Sequence, residues 1–198
     1  MAHNLTRRTM IAAGVAAYAT QVFASTRQYA LVKDRSRVGF RFTLSGAAQM
    51  GTVPVKSADI RVNPANLVQS TADVEADITG AKTGLVFITQ ALLSSEVLDA
   101  KNHPIVRFRS TKVQLGARGR ISEGAKITGD LTLRGVTRAI TLDAVLSRPA
   151  GTDPADLSTL NVDLSGGLDR RDYGAVGYPA LVAPRVDLAI RAEIREVA

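Results

Sequence analysis

The sequence predicts an all-β protein, an up-and-down antiparallel barrel of about eight strands with one short helical insertion. Three observations predict this fold class. Apolar and polar residues alternate with a period of two along most strand-length segments, which is typical of half-buried antiparallel strands. Turn-forming residues separate these segments, and a helical pattern occurs in only one interval. Closure of the sheet into a barrel removes the edges that an open sheet exposes.

Each alternating segment directs a set of apolar residues toward a common interior. In chain order, these residues are Val38, Phe40, Phe42 and Leu44; Ala72, Val74, Ala76 and Ile78; Leu131 and Leu133; Ile140, Leu142 and Ala144; and Val186, Leu188, Ile190, Ala192 and Ile194. The segment 160–168 alternates less regularly, and Gly166 and Gly167 predict a bulge or a bend within it. Turns are predicted at Ser45-Gly46, Asn63-Pro64 and Arg134-Gly135, and within 116–119 and 149–154.

The helical interval covers residues 85–100. Leu85, Ile88 and Leu92 recur at helical spacing, so we expect them to face inward together. The pattern breaks near Ser94 and Ser95, and a serine there is expected to cap a second short helix.

Residues 1–24 have the pattern of an export signal peptide, which leaves residues 25–198 as one barrel domain. Arg7 and Arg8 precede an apolar run at positions 10–19, and a signal peptidase site is predicted near Ala24. The paired arginines favour the twin-arginine route. Met10 stands where an aromatic residue is common, so general secretory export stays open. The run is too short to predict a transmembrane helix, and we expect a periplasmic protein.

The composition argues against several other classes of protein. The 198-residue chain has no Cys, so an exported form has no disulfide framework, and its stability depends on burial of apolar residues. Removal of residues 1–24 takes away two arginines and no acid, which lowers the formal charge from +7 to +5. The remaining basic residues are interleaved with acids, a pattern typical of a solvated surface and not of a nucleic-acid interface.

The sequence contains no convincing catalytic or metal-binding set. His103 has neither a second histidine of the barrel domain nor a cysteine with which to form a metal site or activate a nucleophile. Asp73, Glu75 and Asp77 recur at a spacing of two, which places them on the solvated outer face of one strand. We therefore expect a protein that is not an enzyme and has no cofactor. A hydrolase or isomerase that depends on His103 is the least favoured alternative.

Several of the inward positions carry small residues, namely Ala72, Ala76 and Ala192. Such residues leave volume where a packed core would contain bulky side chains, and unfilled volume lowers stability. A buried hydrocarbon chain contributes about 0.8 kcal/mol per CH₂ group. The pattern therefore favours an internal cavity for a chain-like lipid, whose recognition requires contact area and few polar groups.

Four motifs carry a resemblance to a known family. They are Asp34-Arg35-Ser36-Arg37-Val38-Gly39-Phe40; the segment 92–100 followed by 103–111; the hairpin Gly129-Asp130-Leu131-Thr132-Leu133-Arg134-Gly135-Val136-Thr137; and Arg171-Asp172-Tyr173-Gly174. In this order they resemble the YceI-like family of secreted β-barrels, over about residues 29–194. The chain departs from the family pattern at Tyr29, where Trp is common, and at Gly51-Thr52-Val53, where Gly-x-Phe is common. These departures concern the shape of the pocket and not the fold.

The resemblance implies an extended lipocalin-like barrel that holds a polyisoprenoid, an isoprenoid quinone or a fatty amide, without enzymatic activity. The residues expected to contact this amphiphilic lipid are Phe40, Phe42, Leu44, Phe87, Leu92, Leu98, Phe108, Leu131 and Tyr173, with Arg171 at the head group. Transient contact with a membrane surface or with membrane redox proteins, and a homodimer, are left open. The alternative interpretation is a solid barrel that acts as a periplasmic interaction or stress-response module, a partner of membrane redox proteins.

Overall fold

The computed structural model describes residues 26–116 and 123–197, and the export segment predicted at 1–24 lies outside them. Eleven strands and one α-helix occur in this part of the chain. In chain order they are β1 (Arg27–Leu31), β2 (Arg37–Leu44), β3 (Ala47–Val53), β4 (Val55–Val62), β5 (Thr71–Asp77), β6 (Lys82–Thr83), α1 (Val86–Leu93), β7 (Ile105–Leu115), β8 (Ala125–Leu133), β9 (Val136–Ser147), β10 (Thr159–Asp169) and β11 (Val182–Glu196). Short 3-10 helices include Lys33–Arg35, Leu67–Gln69, Ile78–Gly80 and Arg170–Tyr173.

The strands form one antiparallel sheet that closes on itself in the order β1-β4-β5-β7-β8-β9-β10-β11, with β11 pairing back to β1. The remaining strands extend three of these eight. β1 and β2 are parts of one long strand interrupted at Lys33–Arg35, β3 and β4 are separated by Pro54, and β5 and β6 by Ile78–Gly80. β1 pairs with β4 while β2 pairs with β3, as expected for one interrupted hairpin. The structure thus confirms a closed antiparallel barrel of eight strands.

Where the first long strand is interrupted, side-chain and backbone hydrogen bonds keep it attached to β11. The Val32 amide donates to the Glu193 carbonyl at 2.8 Å, and the Glu193 amide donates to the Ser36 hydroxyl at 3.2 Å. The Glu193 carboxylate, only 7% exposed, accepts from Arg35 at 3.2 Å and from Arg195 at 2.8 Å. The barrel wall therefore stays closed across the interruption, because the backbone groups that leave the ladder find other partners.

Helix α1 lies at one end of the barrel, here called the upper end, together with the turn at 45–46, the turn at 134–135 and the segment 170–181. The helix ends at Ser94, whose amide and hydroxyl both bond to the Ala91 carbonyl, at 3.3 and 2.7 Å. The predicted second short helix is wrong, since residues 94–102 contain turns and no further helix. The chain instead folds back: the amides of Leu98 and Ala100 donate to carbonyls of the last helical turn at 3.0 and 3.1 Å.

The opposite, lower end of the barrel contains a packed apolar cluster of Tyr29, Val62, Leu160 and Ile194, which are 1–8% exposed. Tyr29 satisfies its hydroxyl within this cluster by donating to the Leu157 carbonyl at 2.8 Å. Burial raises the pKa of the Tyr29 hydroxyl above its ordinary value. In the part of the chain that the structure describes, no helix has the length and apolar character needed to cross a membrane.

Of the bulge or bend predicted at Gly166 and Gly167, the bulge does not occur in the pairing of β10 with β11. β10 pairs with β11 from Thr159 to Asp169 without a register shift, whereas the pairing of β10 with β9 ends at Ser165, directly before the two glycines. A Cβ atom on Gly166 would lie 2.6 Å from the Leu142 side chain. Glycine here permits a close approach between strands. A glycine within a strand can mark either such a close approach or a bulge, and the sequence alone does not distinguish the two.

The acidic residues of β5 lie on the outer face of the barrel, as the alternation predicts. Arg107 donates to the Asp73 carboxylate at 2.7 and 2.6 Å, and Arg109 donates to it at 3.1 Å. The hydrogen bonds from Arg107 hold the pKa of Asp73 below its usual value. Within residues 26–116 and 123–197, no group of three or more His, Cys, Asp or Glu side chains could hold a metal ion.

Candidate ligand-binding cavity

The barrel encloses a cavity of about 640 Å³ that extends along its length. Phe87 and Leu181 border the cavity at the upper end, and Leu115 and Ala125 border it at the lower end. The volume falls within the range of about 300–1,000 Å³ that is typical of small-molecule sites. The barrel is therefore not solid, which removes the structural basis of the alternative interpretation as a solid interaction module.

The wall of the cavity is built by the inward faces of all the strands except β6, together with α1. Inward side chains such as Leu164, Leu188 and Ile190 are only partly buried, although they point away from the outer surface. They retain exposed area because they face open volume and not one another. Ala72, Ala76 and Ala192 also line the cavity, so the small inward residues contribute to this volume as expected.

Two aromatic rings of the wall lie flat over glycines of a neighbouring strand. A Cβ atom on Gly51 would lie 2.2 Å from the Phe40 ring, and one on Gly129 would lie 2.5 Å from the Phe108 ring. Phe40 also stacks on Phe42, with ring centroids 6.0 Å apart. The missing side chains let the rings lie against the sheet, so that bulky apolar residues line the cavity without filling it.

The structure places most of the predicted contact residues on the cavity wall. Those that line it are Phe40, Phe42, Leu44, Phe87, Leu92, Leu98, Phe108 and Leu131. Their contact with a ligand stays a prediction. The five that lie on strands show that the period-two pattern identifies the inner face of the sheet correctly, whereas Phe87, Leu92 and Leu98 belong to α1 and the turns after it.

Two predicted contact residues, Tyr173 and Arg171, lie elsewhere. Arg171 is exposed and forms an ion pair with Asp169, its Nη2 atom 2.6 Å from a carboxylate oxygen. This hydrogen bond lowers the pKa of Asp169 to about 2. Tyr173 is 1% exposed and does not border the cavity, and its hydroxyl has no hydrogen-bond partner in the described part of the chain. Both residues belong to the 3-10 helix that follows β10, where the strand alternation no longer applies.

Arg170, the residue before Arg171, borders the cavity instead. Its side chain is 6% exposed and lies at the upper end. It donates to four carbonyl oxygens: those of Ala175 and of Gly177 (2.8 Å) before β11, and those of Val182 (2.9 Å) and Ala183 (3.2 Å) at the start of β11. Burial lowers the pKa of the Arg170 guanidinium. Arg170 thus shapes the backbone that forms the upper end of the cavity.

The cavity reaches the surface at the upper end. Phe87, Tyr178 and Leu181 both line it and remain exposed, by 65%, 40% and 51% respectively. The two segments that carry them are joined by the Gly177 amide, which donates to the Glu96 carbonyl at 2.9 Å. Arg134 reinforces this connection, since its guanidinium donates to the Ser95 carbonyl at 2.6 Å and also to the Gly174 carbonyl. We call this region the mouth of the cavity.

His103 is not part of the cavity wall. Its Nε2 atom lies 3.9 Å from an Asp99 carboxylate oxygen, and the imidazole packs against Gly135 of the β8–β9 turn. The imidazole therefore lies outside the cavity, at the upper end of the barrel.

Sequence reasoning missed two parts of the site, and a signal existed for one of them. Along β10 the residues that line the cavity are Val162, Leu164 and Leu168, and continuing the period of two leads to Arg170 and not to Arg171. The contributions of Tyr178 and Leu181 had no such signal, because the segment before β11 has no regular period.

Solved structures share this architecture. BcnA of Burkholderia cenocepacia aligns with a TM-score of 0.71 at 17% identity, covering 83% of this chain and 99% of that one. A YceI protein of Campylobacter jejuni aligns with a TM-score of 0.62 at 25% identity, over 75% of this chain and 85% of its own. A domain of Saccharophagus degradans described as polyisoprenoid-binding aligns with a TM-score of 0.62 at 13% identity, over 86% of this chain and 99% of that one.

The fold and the cavity place this chain in the class of closed, lipocalin-like antiparallel barrels with an apolar interior. The chain belongs to the YceI-like family, whose model matches residues 29–194. Among curated relatives, a UPF0312 protein of Vibrio parahaemolyticus is 28% identical over 152 residues, covering 75% of this chain and 78% of that protein. The resemblance inferred from the four motifs is thereby confirmed.

Proposed function

We propose that this protein binds a long-chain amphiphile of the isoprenoid type inside its barrel and carries it, without catalysing a reaction. The observation that supports this most directly is the apolar cavity of about 640 Å³ that runs between the two ends of the barrel. Each CH₂ group transferred from water into such a cavity contributes about 0.8 kcal/mol, so a long tail supplies ample affinity without polar contacts. The description of the Saccharophagus degradans domain as polyisoprenoid-binding supports the same ligand class.

The proposal is tested by identifying what the protein binds. Protein purified without detergent is extracted with organic solvent, and the extract and the intact protein are analysed by mass spectrometry. We expect one bound isoprenoid lipid per barrel, and expect the extracted protein to bind added geranylgeraniol. Absence of both a co-purified lipid and geranylgeraniol binding would refute the proposal.

Matched variants connect binding to the cavity. Ala72 lines the cavity, whereas Ala48 lies exposed on the outer face of β3. Ala72→Phe places a ring in the volume available to the tail and is expected to lower geranylgeraniol affinity at least tenfold. Ala48→Phe adds the same ring outside the barrel and is expected to leave the affinity unchanged.

We further propose that the mouth contacts a membrane surface when lipid is exchanged. Exposed apolar side chains are concentrated on the segments that form the mouth: Leu85, Val86 and Phe87 on one side, and Val176, Tyr178 and Leu181 on the other. Contiguous exposed apolar patches are uncommon on soluble proteins and mark interaction sites. Because Phe87, Tyr178 and Leu181 of this set also line the cavity, a lipid tail could pass from a bilayer into the barrel with little exposure to water.

This contact is tested by the rate of lipid transfer from vesicles. The double variant Val86→Ser, Phe87→Ser is expected to slow transfer of a fluorescent isoprenoid from phosphatidylethanolamine–phosphatidylglycerol vesicles. Val68 provides the control, since it is 52% exposed and lies at the lower end, so that Val68→Ser leaves the rate unchanged. Equal rates for all variants would contradict a role of the mouth in membrane contact.

Export to the periplasm is also a proposal, based on the signal-peptide pattern of residues 1–24. N-terminal sequencing of the protein from a periplasmic fraction is expected to begin after Ala24. Replacement of both Arg7 and Arg8 by Lys distinguishes the routes, because it blocks twin-arginine export and leaves general secretion intact.

A further inference from the structure

Among the described residues that line the cavity, Arg170 is the buried arginine, whereas Arg37, Arg61 and Arg191 also border the cavity but are exposed. Arg170 is 6% exposed as a residue and belongs to a wall that is otherwise made mostly of apolar side chains. It lies at the upper end, beside Tyr178 of the mouth and far from the Tyr29 cluster at the lower end. A buried charge in such surroundings carries a large desolvation cost unless it is compensated.

The hydrogen bonds that the protein makes to this charge come only from neutral groups. Four carbonyl oxygens accept hydrogen bonds from the guanidinium, one at Nε, two at Nη1 and one at Nη2. A guanidinium has five N–H donors, so one donor of Nη2 is not used in these bonds. No carboxylate of residues 26–116 or 123–197 forms an ion pair with Arg170, and the adjacent Asp169 pairs with Arg171. Asp169 attracts the buried charge electrostatically, but in the described chain no carboxylate forms a hydrogen bond with the Arg170 guanidinium.

We propose that the cavity takes an amphiphile with an anionic oxygen head, a phosphate or a carboxylate, which binds to Arg170 while its tail extends toward Leu115 and Ala125. This inference rests on the proposed lipid-binding function and adds the charge and the direction of the ligand. Arginine matches phosphate and carboxylate groups through short, charge-assisted hydrogen bonds. An anionic head at the mouth would also remain close to water during exchange, whereas the tail would occupy the apolar length of the barrel.

The head-group preference is measured with two probes that have the same tail. Geranylgeranyl phosphate and geranylgeraniol compete with Nile red, a neutral fluorescent probe, for the delipidated protein. We expect the phosphate to bind at least tenfold more tightly, a difference that corresponds to about 1.4 kcal/mol. Equal affinities would overturn the inference and leave the proposed function standing, whereas failure of both probes to bind would overturn the proposed function itself.

Variants of two adjacent arginines assign the preference to one side chain. Arg170→Gln is expected to reduce the phosphate preference to less than threefold, and Arg170→Lys, which keeps the charge, is expected to retain most of it. Arg171→Gln removes the same charge from an exposed position and is expected to keep the full preference. If Arg171→Gln abolishes the preference, the net charge of the protein is responsible and the assignment to Arg170 is wrong.

The wild-type comparison does not depend on the folding of any variant. Arg170 also holds the backbone at 175–183, so circular dichroism of each variant is recorded with its binding curve. Should Arg170→Gln not fold, the wild-type probes still decide whether the cavity prefers an anionic head, and Arg170→Met, which also removes the charge, replaces Arg170→Gln in the assignment.

Discussion

Replacement of Ala192 by Leu tests whether the barrel interior is open volume. Ala192 lies on β11, is partly buried and lines the cavity. Leucine adds three carbon atoms, whose burial contributes at most about 2.4 kcal/mol at about 0.8 kcal/mol per carbon. Ordering the longer side chain costs about 0.5–1 kcal/mol. We therefore expect delipidated Ala192→Leu protein to gain roughly 1.5 kcal/mol, a rise in Tm of about 3–6 °C for a domain of this size.

The control is the same substitution on the other face of the same strand. Ala189 is exposed on the outside of the barrel, and Ala189→Leu is expected to change stability by less than about 0.5 kcal/mol. Urea unfolding and calorimetry of both variants measure the difference. In a close-packed interior the inserted carbons would instead destabilise by about 1–3 kcal/mol. A fall in the stability of Ala192→Leu of that size would refute the conclusion that this position faces a cavity.

Three further substitutions test the packing and the electrostatics of the barrel. Tyr29→Phe removes a hydroxyl that donates to a buried carbonyl at 2.8 Å, and urea unfolding is expected to show a loss of about 1 kcal/mol; an unchanged midpoint would contradict this. Gly51→Ala directs a methyl group to within 2.2 Å of the Phe40 ring and is expected to cost about 1–3 kcal/mol, whereas Gly84→Ala, which meets no atom within 4 Å, leaves the Tm nearly unchanged. The pKa of Asp169, lowered to about 2, adds stability at pH values above about 4, and this stability is lost as the pH falls toward 2. Asp169→Asn is therefore expected to lower the Tm at pH 7 more than at pH 2.5, and an equal effect at both pH values would argue against this ion pair.

The barrel topology was predictable because the alternation along each strand and the closure of the sheet both require one apolar inner face. Period-two alternation identifies the inward residues of each strand, and turn-forming residues mark the hairpins. The interruptions at Pro54 and at Ile78–Gly80 divide long strands without changing which face is apolar. Eight long strands therefore follow from the sequence, although the structure contains eleven shorter ones in its described part.

Irregular segments were predicted less well, for a physical reason. Between β10 and β11 the chain forms a 3-10 helix and then an extended segment, so neighbouring residues point in directions that no single period describes. Hydrogen bonds to the carbonyls of Gly177 and Val182 fix the Arg170 side chain in the cavity wall, whereas Arg171 lies outside the wall. The expected second helix after Ser94 is replaced by turns for a similar reason. There the amides of Leu98 and Ala100 bond back to carbonyls of the last turn of α1.

The closed antiparallel barrel with an apolar inner face follows from the amino-acid sequence, because alternation with a period of two assigns each strand residue to one side of a sheet. The small inward residues favoured a cavity, but its presence and volume were established by the folded structure, since open volume depends on how side chains from all strands meet across the barrel. The flat packing of Phe40 and Phe108 over glycines of neighbouring strands belongs to this second kind of information. So does the position of Arg170, which places a buried positive charge at the mouth of an otherwise apolar cavity.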